Sequence, residues 1–162
     1  MKTFELEKNI WTEIDFEQMG WHDCFIHAFA LDSDAYDDFI QSDLLFDIDY
    51  IFKWVLDKDS AHYYFWTAPC TLIFREVTNL KIQYASGTSF LPELEISDIK
   101  RKEKLYENGH KSWHWQIELV GDSFISFDSA EYKQVVKRPP TYMDRQAFTR
   151  TERGGINFDE SI

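Results

Sequence analysis

The chain has 162 residues, of which 44% are hydrophobic and 17% aromatic, and it carries a formal net charge of −12. That length suits one domain, and so much ring surface excludes a disordered chain. The acidity speaks against a grip on nucleic acid or anionic lipid, and no apolar run approaches the roughly 18 residues that a membrane-spanning helix needs.

Residues 1–15 interleave Lys2, Glu5, Glu7, Lys8 and Glu13 with apolar positions and build no continuous apolar stretch of the kind a secretory signal carries. A cytoplasmic protein is expected. Ile10, Trp11, Ile14 and Met19 have a loose helical spacing that ends at Gly20, which predicts a short helix over residues 10–19. The aromatic-rich residues 21–31 predict a strand, and the acidic residues 32–38 that follow predict a turn or a helical turn.

Residues 44–55 carry the clearest signal. Phe46, Ile48, Tyr50, Phe52 and Trp54 alternate with Asp47, Asp49, Ile51, Lys53 and Val55, a period of two that predicts a strand with one apolar and one mixed face. Residues 57–60 turn the chain into a second extended run over 62–67. Pro69 removes a ladder hydrogen bond, so the chain is expected to bend there or to lie on an edge. Residues 72–77 and 80–84 predict further strands with Thr78 and Asn79 as a tight connection, and Gly87 and Pro92 frame a loop.

A strand from residue 94 runs into the basic cluster Lys100, Arg101, Lys102 and Lys104, and Asn108-Gly109 is a favoured hairpin turn. Its partner is 113–119, where every odd position is apolar. Gly121-Asp122 then leads into a strand at 124–127. Residues 129–137 suit either a helix behind Ser129 or a strand, and Pro139-Pro140 stops both. Residues 141–162 are polar and include Gly154-Gly155, the composition of a tail that is flexible unless it docks. The predicted fold is mainly β: one domain over 1–140, an antiparallel two-sheet sandwich or barrel with one or two short helices, and a C-terminal tail over 141–162.

Cys24 and Cys70 are too few for a disulfide framework and lack the close spacing of a redox or zinc pair, so both are expected to pack as small apolar groups. No Gly-rich phosphate loop and no nucleophile elbow is present, so no catalytic residue and no cofactor is predicted. His22 and Asp23, with Asp47 and Asp49 on the later strand, form the one set that strand pairing could gather around a divalent metal. Against it, His22 and His27 differ in strand parity unless a bulge intervenes, and Asp47 and Asp49 fit a solvated face. Trp54, Trp66, Trp113 and Trp115 are candidates for lining a small-molecule cavity, with core packing as the alternative.

The charge is uneven. Residues 1–60 carry −11 and residues 61–162 carry −1. One reading is solubility; the other is an acidic surface that steers a basic protein toward Asp34, Asp37, Asp38 and Asp43. The basic cluster with Trp113 and Trp115 invites a nucleic-acid reading, which Glu103, Glu107 and the overall acidity oppose. The cluster could also meet residues 32–49 of a second copy, and the sequence does not select an oligomeric state.

Trp21-His22-Asp23-Cys24 and the following residues 26–31 resemble the opening strand of small bacterial β proteins that begin with an aromatic-His-Asp step, some of them immunity proteins that neutralise polymorphic toxins. The resemblance covers about ten residues, or about thirty with the strand near residues 44–54. It implies a non-enzymatic partner binder whose acidic first part meets a basic toxin. It supplies no catalytic residue and does not extend to the tail or the basic hairpin.

Overall fold

A computed structural model of the chain describes residues 2–36, 39–85 and 94–160. Two antiparallel sheets face each other, and neither closes into a barrel. The first sheet contains β1 (Ile10–Thr12), β2 (Phe25–Tyr36), β3 (Phe39–Asp57), β4 (His62–Phe74), β9 (Tyr132–Val136) and β10 (Thr141–Met143). Its order is β1-β9-β4-β3-β2, with β10 also paired to β4. The second contains β5 (Thr78–Gln83), β6 (Ile96–Leu105), β7 (Lys111–Leu119) and β8 (Phe124–Ser129), in the order β5-β8-β7-β6. The sheets meet at one corner, where Ile26 N donates to Leu94 O at 2.7 Å and Ile96 N donates to Cys24 O at 2.9 Å.

Period-two patterning builds the core. Leu44, Phe46, Ile48 and Tyr50 on β3 point at the second sheet and meet Trp115, Ile117 and Phe127 in one buried cluster. Phe74 is its hub, with ring centroids 5.0 Å from Trp115, 4.6 Å from Phe127 and 6.1 Å from Phe46, all edge-on. Each such pair adds about 0.5–1.5 kcal/mol beyond the area it buries.

Residues 10–19 are not one helix. They form β1 and a 3₁₀ helix, Glu13–Gln18. Asp15 accepts from Thr12 N at 2.9 Å and pairs with Lys8, which tightens the turn; Phe16 reaches the core while Ile14 stays exposed. Residues 21–24 form a turn rather than strand, with Asp23 at φ 62° and Cys24 N donating to Trp21 O at 3.0 Å.

The acidic residues 32–36 continue β2 instead of turning, because each pairs across to β3, Asp32 with Asp43 and Asp34 with Gln41. Residues 129–137 contain strand β9. Thr78 and Asn79 lie within β5, and the link between the sheets is made by residues 75–77, with Glu76 at φ 50°. The loop framed by Gly87 and Pro92 lies outside the described residues.

Pro69 neither bends the chain nor lies on an edge. β10 pairs with β4 as far as Thr67 and β9 begins at Cys70, so Pro69 sits where one short partner gives way to another. Its carbonyl accepts from Lys137 N at 3.0 Å, which places the missing N–H on the same side, at that gap.

The tail docks. Beyond β10, residues 144–160 run across the outer face of the first sheet and include a single helical turn, α1 (Arg150–Arg153), capped by Gly154 at φ 79°. Phe158 packs on Leu45, Ile73 and Val135, so the first sheet is covered on both faces.

Candidate functional site

The side of β3 turned away from the core carries Asp43, Leu45, Asp47 and Asp49 in succession, with Asp32 and Asp34 beside them on β2. The C-terminal segment divides this acidic face into a covered part and an open part.

In the covered part Asp47 and Asp49 are fully buried, which overturns the solvated face expected from the alternation. Arg153, its side chain only 2% exposed, donates to both carboxylates. Asp49 also accepts from His27 Nε2 at 2.8 Å and from Phe148 N at 2.8 Å. Asp47 accepts from Lys137 Nζ at 2.8 Å and from Asn157 N at 2.9 Å. Burial pulls the Lys137 ammonium below its ordinary pKa, and the Asp47 carboxylate opposes that shift. His27 reaches Asp49 because it has the strand parity of Phe25, which lies directly opposite Asp49.

The four residues proposed for a metal are not gathered. His22 stands exposed in the turn before β2, where Nδ1 donates to Ser97 O at 2.9 Å and Nε2 lies 3.3 Å from Asp23. The Ser97 carbonyl raises its pKa. Asp23 accepts from Gln146 Nε2 at 3.0 Å, while Asp47 and Asp49 are committed to Arg153. Among the described residues no group of three or more His, Cys, Asp or Glu side chains is arranged to hold a metal ion.

Nor do the four tryptophans line one cavity. Trp115 is fully buried in the core, where its indole donates to Ser129 O at 2.9 Å. Trp66 packs against Phe4 and Tyr142, and Trp54 is 39% exposed with its ring stacked on His22. Trp113 lies under the Arg101 guanidinium at 4.1 Å, and Phe16 covers the same guanidinium at 4.2 Å. In the basic hairpin Lys100 pairs with Glu118 at 2.8 Å, Lys104 pairs with Asp128, and Lys111 lies 3.9 Å from Glu103.

The open part of the acidic face lies toward the β2–β3 turn. Asp32, Asp34, Gln41 and Asp43 line a shallow cleft of about 170 Å³. Asp43 is structural as well: it accepts from Arg75 at 2.6 Å and from Glu76 N at 2.9 Å, and Arg75 also holds Glu160 of the tail. Asp32 and Asp34 are exposed and have no cationic partner among the described residues. Asp37 and Asp38 lie outside the described residues. β2 is the terminal strand of its sheet, and past Ile26 no described strand pairs with its outer edge.

No protein-family model, no curated protein and no solved structure matches this chain. Sequence reasoning passed over Arg153 and Lys137, the cations that make this face possible. Two carboxylates inside an otherwise apolar strand signal that a cation is needed, but nothing near them in sequence says where it comes from.

Proposed function

We propose that this chain is a non-catalytic protein-binding domain whose acidic β2–β3 hairpin receives a basic partner, in the manner of an immunity protein that neutralises a cationic toxin. The observation that carries this reading is Asp32 directly opposite Asp43, with Asp34 on the same face and neither Asp32 nor Asp34 paired to a cation among the described residues. Like charges directly opposite one another destabilise a strand pair. Arg75 offsets the charge of Asp43, but Asp32 and Asp34 keep theirs with no cation among the described residues, and charge left open on a folded face suits a partner outside the fold.

The edge of β2 supplies the second half of the reading. A basic strand added along it would satisfy open backbone groups and bring Lys or Arg against Asp32 and Asp34. The cytoplasm is the compartment that suits this reading, since Cys24 and Cys70 are unpaired and buried and burial pushes the Cys24 thiol up to about 12.

The test begins with a pull-down by the tagged chain from its native cell, run in parallel with an Asp32→Asn/Asp34→Asn variant. Stopped-flow association with the recovered partner then follows across a salt series. The variant should associate several-fold more slowly and with a weaker dependence on ionic strength, while dissociation changes less. An unaltered association rate at every salt concentration refutes the acidic hairpin as the docking surface.

A further inference from the structure

The β2–β3 hairpin carries more open apolar surface than its acidity suggests. Phe29 lies directly opposite Phe46 and Leu31 directly opposite Leu44, so all four side chains share the face of the first sheet that is turned to the core. Phe46 and Leu44 are fully buried there. Phe29 and Leu31 are nevertheless 38% and 51% exposed, and Ile40, of the same parity as Leu44 on β3, is 72% exposed. The second sheet leaves this end of the hairpin uncovered.

The exposed end of β2 thus has two unlike faces with an edge between them. One face presents Phe29 and Leu31 and the other presents Asp32 and Asp34, while past Ile26 no described strand pairs with the edge. Along such an edge every second residue turns its N–H and C=O away from the paired neighbour, here β3.

Each feature selects part of an occupant. Open ladder groups take an extended strand and not a helix, whose backbone groups are already used internally. Phe29 and Leu31 take apolar side chains on one face of that strand, and Asp32 and Asp34 take Lys or Arg on the other. Because side chains alternate along a strand, one pattern meets all these demands: cationic and apolar residues in turn.

A second copy of the chain is the obvious competitor, and charge opposes it. Pairing β2 with the β2 of another copy in antiparallel fashion would bring the aspartates of both onto one shared face, where like charges destabilise a strand pair. The same aspartates leave the edge open to a strand of opposite charge.

We infer that the edge of β2 receives an amphipathic β-strand of a basic partner, its Lys or Arg residues beside Asp32 and Asp34 and its apolar residues beside Phe29 and Leu31. This occupant rests on the protein-binding reading of the acidic hairpin. What it adds is the form of the partner, a strand recognised by its period of two and not by charge alone.

The test uses the whole chain, ¹⁵N-labelled, with three heptapeptides of Lys and Val at concentrations on the order of 1 mM, where a weak site fills. The first peptide alternates the two residues, the second gathers them into two blocks, and the third is the alternating peptide with every backbone amide N-methylated. The alternating peptide should slow hydrogen exchange at every second amide of residues 29–34, and the other two should not. Its affinity should fall several-fold in Asp32→Asn/Asp34→Asn and in Leu31→Ser, with amide spectra confirming that both variants fold. If the block or the N-methylated peptide binds as tightly, the strand is refuted and the acidic surface still stands. Binding unweakened by Asp32→Asn/Asp34→Asn refutes the acidic surface and this occupant with it, and binding unweakened by Leu31→Ser refutes the two-faced strand. The inference is also overturned if no peptide protects these amides, or if the free chain sediments as a dimer with the same amides already protected.

Discussion

Arg153 donates to Asp47 and to Asp49, two carboxylates on one face of β3 that are both fully buried. One guanidinium thereby fastens the end of the chain to its middle. Arg153→Met removes the cation shared by the two buried carboxylates, and the loss should be about 3–5 kcal/mol by urea denaturation. The triple variant Asp47→Asn/Asp49→Asn/Arg153→Met should recover only part of it, since Lys137 keeps a largely buried charge that Asp47 no longer meets. A single variant as stable as the wild type would mean that the tail does not dock.

Tryptophans that look alike in sequence should differ in worth. Trp115→Ala opens a cavity in the core and should cost about 3–5 kcal/mol. Trp54, 39% exposed, should cost roughly 1 kcal/mol. Equal losses in chemical denaturation would contradict the placement of β3 and β7.

The Asp128 carboxyl sits at about 2, below its ordinary value of 3.8. Burial opposes that shift, and hydrogen bonds from Lys104, Asn79 and His114 overcome it. A depressed folded pKa gives stability that is present above pH 4 and lost as the pH falls toward 2, about 2 kcal/mol in all. Between pH 5 and 2, Asp128→Asn should lose less stability than the wild type. Parallel curves for the two proteins would show that Asp128 is not held as an anion.

Neighbouring aspartates of the open acidic face should separate by role. Asp43→Ala breaks the contacts to Arg75 and to Glu76 N and should cost about 1–3 kcal/mol. Asp34→Asn should stay within about 0.5 kcal/mol of the wild type or gain slightly as like-charge repulsion falls. A large loss at Asp34 in the same denaturation series would make it structural and remove it from the docking surface.

Thiol labelling checks the core directly. Cys24 and Cys70 are both fully buried, and burial pushes their pKa up, that of Cys24 to about 12. Neither should react with an aromatic disulfide reagent at pH 8 in the native state, and both should react at once in denaturant. Rapid labelling of the native protein would place a thiol at the surface.

Local chemistry settled much of this fold. Alternation over residues 44–55 specified a strand, Asn108-Gly109 specified the hairpin that joins β6 to β7, and odd-numbered apolar residues turned β7 toward the core, because period and turn geometry act over a few neighbours. Three-residue strands such as β1 and β10 are too short to show a period and exist only through their partners β9 and β4. The same limit hid the fate of Asp47 and Asp49. In the sequence they alternate with apolar residues as a solvated face would, and whether water or protein covers that face depends on Arg153, more than one hundred residues away. A carboxylate's environment is set by what packs over it, so only the tertiary structure could tell the two buried carboxylates from the exposed Asp32 and Asp34 beside them.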